Sequence, residues 1–87
     1  MDNKEKKKLI LTSLAKITRK LRGNKSIFMF SSENDLCKST ISLIERVKKD
    51  PQLTTLYKLA EACELRVWQF LKLIDEDLPQ DFFMIEK

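Results

Sequence analysis

One glycine and two prolines in 87 residues leave too little turn material for a β-rich fold. Apolar residues recur instead at helical spacing. Ile10, Leu14, Ile17 and Leu21 fall at i, i+4, i+7 and i+11, the stripe of an amphipathic helix running from about Lys4 to Leu21. Gly23-Asn24 then ends it, because both residues tolerate the left-handed conformation of a helix C-terminus, and Lys20 and Arg22 suit the negative end of the dipole. The expectation is an all-α chain of one domain, near the lower size limit for folding without a metal or a disulfide framework.

Four further helices are predicted. Ser26 is placed to cap a short one over Ile27 to Glu33, with Asn34-Asp35 making the turn that follows. The third starts near Cys37-Lys38 and reaches Arg46 or Val47. The fourth follows Pro51, with Asp50 or Gln52 near its start and Leu53, Leu56, Tyr57, Ala60 and Cys63 as its buried stripe. Leu65-Arg66 leads into the fifth, where Val67, Phe70, Leu71 and Ile74 share a face. The carboxylates Asp75-Glu76-Asp77 oppose the dipole at its end and Pro79 restricts its predecessor, so both are expected to stop it.

Charge is distributed unevenly. Residues 1–49 hold 13 Lys or Arg against 5 Asp or Glu, a balance of +8, whereas residues 50–87 hold 4 against 8, a balance of −4. A basic front half suits a polyanionic ligand and an acidic back half would be held away from it. The run Lys4 to Lys8, taken alone, reads as a solvated helix surface. Two cysteines and no histidine make neither a disulfide framework nor a zinc set, so no metal and no cofactor are expected, and a reducing cytoplasm is the natural setting. Without histidine, a glycine-rich phosphate loop or metal-ligand spacing, an enzyme is not expected either. No apolar run approaches the roughly 20 residues of a membrane span.

The segment from Leu36 to Leu56 carries the functional expectation. Ser39, Ser42, Leu43 and Arg46 fall at i, i+3, i+4 and i+7 on one face of the third helix, while Ile41 and Ile44 point the other way. Hydroxyls, one apolar side chain and a cation suit a DNA major groove, which displays acceptors, donors, thymine methyls and flanking phosphates. An ordinary solvated helix face would have the same pattern. Lys38, Ser39 and Thr40 open this helix, where free N–H groups favour anions, and capping is the alternative role for the two hydroxyls. Lys48 and Lys49 in the turn beyond would neutralise phosphates. Cys37, beside Lys38, reads as a cap position rather than a redox sensor.

Ser39-Thr40, Ile41-Ser42, Ile44, Glu45-Arg46, the basic Lys48-Lys49 and Pro51, followed by Leu53, Leu56, Leu59, Ala60, Glu61 and Ala62, resemble the phage-repressor and Cro-like (XRE-type, lambda-repressor-like) helix-turn-helix family. The resemblance extends over roughly Leu14 to Leu71. It implies a compact five-helix DNA-binding domain over residues 1–78 with a C-terminal tail over 79–87, acting as a homodimer on double-stranded DNA. It implies contacts to DNA from Lys38, Ser39 and Thr40, which join Ser42, Leu43 and Arg46 of the outer face and Lys48 and Lys49 of the turn as the expected DNA-binding residues. It also implies an ion pair between Glu45 and an arginine of the first helix, Arg22 by motif and Arg19 second. Phage or mobile-element repressors, restriction–modification controllers and autoregulating antitoxins share this signature.

Three departures from the family pattern bear on structure. Asn34-Asp35 stands where a Gly is usual. Val47 replaces a Gly after Glu45-Arg46, and since a β-branched residue resists positive φ, the third helix is expected to end differently here. Ile27-Phe28-Met29 replaces polar residues that include a phosphate-contacting Gln, so these three either pack against the first helix, the preferred expectation, or form a surface for a protein partner. The second alternative would make the chain a protein-interaction module on a helix-turn-helix scaffold. Trp68, Leu73, Phe82, Phe83, Met84 and Ile85 lie outside the core stripes. Surplus apolar surface marks them as a dimer interface, unless the tail folds back over its own core.

Overall fold

The computed structural model describes residues 1–85 and contains five helices: α1 (Asn3–Arg22), α2 (Ile27–Glu33), α3 (Lys38–Glu45), α4 (Leu53–Ala62) and α5 (Val67–Asp77), with no strand among the described residues. Local chemistry sets most boundaries. The Asp2 carboxylate accepts from the Glu5 N–H at 2.8 Å, and the Ser26 hydroxyl from the Met29 N–H at 3.1 Å, so each caps its helix. Gly23, at φ 63° and ψ −132°, ends α1 in a conformation open only to glycine.

Asp35, Val47 and Glu64 all have positive φ, and each follows a helix C-terminus. After α3, the Lys48 N–H donates to Leu43 O at 2.8 Å and the Val47 N–H to Ile44 O at 3.1 Å. After α4, the Leu65 N–H donates to Ala60 O and the Glu64 N–H to Glu61 O, both at 2.9 Å. These paired bonds form the Schellman closure that satisfies the last carbonyls of a helix. Val47 therefore corrects the sequence expectation: it adopts φ 60° despite its branched Cβ, and α3 ends as it would with a glycine. The two closing hydrogen bonds and the partial burial of Val47 hold this strained residue in place.

Leu14, Ile17, Phe30, Ile41, Ile44, Leu59, Ala60, Phe70 and Ile74 form one core, fed by every helix. α1 packs against both α3 and α5, α2 against α3, and α4 against α5. The phase of α4 differs from the sequence reading. Leu59 is wholly buried and Leu56 and Cys63 pack on the core, whereas Leu53 and Tyr57 are exposed. Leu71 likewise lies at the exposed margin of α5. α5 includes the carboxylates at 75–77 and ends at Asp77, within the stretch expected to stop it. There the Asp77 carboxylate meets Lys16 Nζ at 2.6 Å and the Ser13 hydroxyl at 2.9 Å on α1, which offsets the unfavourable dipole. Leu78, extended at ψ 156° ahead of Pro79, is the actual stop.

Candidate nucleic-acid interface

α2 and α3 are joined by the tight turn Asn34–Cys37. Ser31 is buried, and its carbonyl accepts from the Leu36 N–H at 3.0 Å. The Asn34 side-chain amide donates to Phe30 O at 2.8 Å, so one polar side chain helps close a turn that lacks glycine. The inner face of α3 is closed: Ile41 and Ile44 are fully buried and Glu45 nearly so.

Glu45 fixes α3 to α1. Arg22 donates from Nε to Oε2 at 2.8 Å and from Nη2 to Oε1 at 2.7 Å, a bidentate fork, and a third Arg22 donor reaches Lys25 O. Arg19 adds a hydrogen bond from Nη2 to Glu45 O at 2.9 Å and lies 3.7 Å from the carboxylate, although its own side chain is mostly exposed. The hydrogen bonds that Arg22 donates to Glu45, reinforced by the charge of that carboxylate, raise the Arg22 pKa against the opposing effect of burial. One acid thus holds two cations of α1.

The other face of α3 is open to a degree that varies along its length. Lys38, Ser39, Arg46 and Lys48 are exposed, while Thr40, Ser42, Leu43 and Lys49 are half-buried. Cys37 occupies the N-cap position without making a side-chain cap bond. Its sulfur lies 3.0 Å from the Ser39 hydroxyl, and that contact, with the neighbouring Thr40 and backbone donors, draws the thiol pKa down to about 7. Burial pushes Cys63 the other way, to about 11.

Ile27-Phe28-Met29 divides. Ile27 packs on the core, whereas Phe28 and Met29 face solvent. The preferred expectation of packing therefore holds for one residue of the three. The Lys38 ammonium sits 5.8 Å from the centroid of the Phe28 ring, so Phe28 borders the N-terminus of α3. The phase was available in the sequence: with Ser26 as cap, Ile27, Phe30 and Ser31 take the inner stripe and leave positions 28 and 29 outside.

The apolar remainder lies at the opposite end of the chain. Trp68, Leu73, Phe83, Met84 and Ile85 are exposed and Phe82 is half-buried. None of the described tail residues, 79–85, belongs to the core cluster, and residues 86–87 of the expected tail lie outside the described residues. It turns at Pro79, whose carbonyl accepts from the Phe82 N–H at 3.0 Å, and borders the start of α1, where the buried Lys6 donates to Met84 O at 3.4 Å. No helix among the described residues is long and apolar enough to cross a membrane.

Comparison of the chain with protein-family models, with curated proteins and with solved structures finds no match.

Proposed function

We propose that this chain is a sequence-specific DNA-binding regulator, a repressor that binds a two-fold operator as a dimer through the outer face of α3. The observation that carries the reading is the asymmetry of α3. Its inner face is wholly buried and held by the Glu45–Arg22 fork, while its N-terminus and outer edge present Lys38, Ser39 and Arg46. A rigid helix with a polar, cationic outer edge meets the requirements of base and phosphate contact. Lys48 beyond the helix end extends the positive potential, and the +8 balance of residues 1–49 supports it. One such helix reads only a few base pairs, so specificity favours two copies about one helical turn of DNA apart. The exposed Trp68, Leu73, Phe83, Met84 and Ile85 supply apolar surface for pairing.

A second reading is favoured by one feature. Phe28 and Met29 are exposed beside α3, and an apolar pair at that place also suits a protein partner, which would make the chain an interaction module without DNA binding.

Selection from a genomic fragment library with the purified protein, at several salt concentrations, tests the first reading. Enrichment of fragments sharing a repeat with two-fold symmetry, with affinity falling steeply as salt rises, is expected. Recovery of unrelated fragments or of none at low salt overturns it in favour of the interaction module.

A further inference from the structure

We infer that Phe28 is a positioning residue for Lys38, and that its ring holds the ammonium group of α3 in place for an acceptor on DNA. This rests on the reading of α3 as a DNA-facing helix. Lys38 ends in a point charge on a four-carbon stem, and fixing such a stem on binding costs side-chain entropy. Proteins commonly restrain a lysine with a carboxylate, but a carboxylate also neutralises it. Lys38 takes part in none of the ion pairs found among the described residues.

The Phe28 ring, 5.8 Å from the ammonium by its centroid, offers the other kind of restraint. A ring face attracts a cation through its quadrupole while leaving the full charge and the N–H donors available. The exposure of Phe28 then has a physical account. Ser26 caps α2 and sets its phase, Ile27 and Phe30 face the core, and Phe28 is left on the outside where the first residue of α3 passes over it. The consequence is directional. A lysine held beside α2 presents its donors from a fixed place at the start of α3, suited to the paired acceptors of a guanine edge or to the adjacent phosphate.

The test pairs the free protein with its complex on the duplex that the wild-type chain enriches from a random 30-base-pair pool. In the free protein, NMR should find the Lys38 ε-methylene protons shifted upfield by the ring, a shift retained in Phe28→Tyr and lost in Phe28→Leu. Phe28→Leu should weaken duplex binding by about two- to five-fold, the range of an exposed cation–π contact, with Phe28→Tyr close to wild type. In a Lys38→Ala background Phe28→Leu should change nothing further. Absence of the ring shift, wild-type binding by Phe28→Leu, or an equal loss in the Lys38→Ala background each overturns the positioning role. If Lys38→Ala weakens binding while Phe28→Leu does not, only the role of Phe28 fails. If Lys38→Ala binds as wild type, Lys38 makes no contact for Phe28 to position and the inference fails; if Ser39→Ala also binds as wild type, or no duplex is enriched, the DNA-facing reading fails as well.

Discussion

Two polar clamps hold other helices to α1, and they differ in depth. Near its C-terminal end Glu45 takes a bidentate fork from Arg22, with the acid and that arginine both largely out of water. Midway along, Asp77 meets Lys16 at 2.6 Å and the Ser13 hydroxyl, but the lysine is mostly solvated. A desolvated pair fixes geometry because either partner left alone is costly, whereas a solvated pair exchanges with water at little loss. The firm clamp belongs to α3, the helix proposed to read DNA, and the soft one merely closes the end of α5. Rigidity is placed where orientation would matter.

The largest expected effect breaks the firm clamp. Glu45→Ala leaves Arg22 unpaired in a mostly buried site and should destabilise the fold by about 3–5 kcal/mol in chemical denaturation. A double-mutant cycle should give strong coupling to Arg22 and weaker coupling to the exposed Arg19. A loss under about 1 kcal/mol would class the pair with ordinary surface bridges and erase the contrast.

Val47, just past the clamp, sharpens the comparison. Val47→Gly should stabilise the chain by about 1 kcal/mol, since relief of left-handed strain outweighs the lost packing and the added freedom of the unfolded chain. Destabilisation in thermal unfolding would mean that the half-buried valine contributes more by packing than it loses in strain.

The soft clamp should yield the smallest effect, and a pH dependence. The hydrogen bonds from Lys16 and then Ser13 hold the Asp77 carboxyl below its usual value. A carboxyl whose folded pKa is depressed contributes stability above its unfolded pKa, about 3.9, and loses it as pH falls through the folded value. Asp77→Asn should therefore unfold slightly earlier than wild type at pH 7, by less than Glu45→Ala, and the gap should close in strong acid. A gap that persists unchanged at pH 2 would remove the carboxylate as its cause.

The positions of all five helices were legible because each carries its own apolar stripe and most carry their own stop or start residue. The rest depended on tertiary context. The α4 sequence has leucines at 53, 56 and 59, on more than one side of the helix. Packing against α5 and the common core selects the Leu56, Leu59, Ala60 and Cys63 arc and leaves Leu53 outside. Propensity alone opposed positive φ at Val47, and the cooperative closure of the α3 terminus overrode it. The outer residues of α3 were legible as a face, but their unequal exposure, with Ser42 and Leu43 partly covered, follows from neighbouring elements. The approach of Lys38 to Phe28 was not legible, since it depends on how two short helices cross.

The central claim is that α3 reads DNA, and affinity for an enriched duplex measured across salt concentrations tests it most directly. Lys38→Ala and Ser39→Ala should each weaken that duplex by about 1–3 kcal/mol while leaving thermal unfolding unchanged. Lys48→Ala and Lys49→Ala should weaken every duplex alike and reduce the salt slope by about 1 each. Wild-type affinity and specificity in both Lys38→Ala and Ser39→Ala would contradict the assignment of α3 as the reading helix.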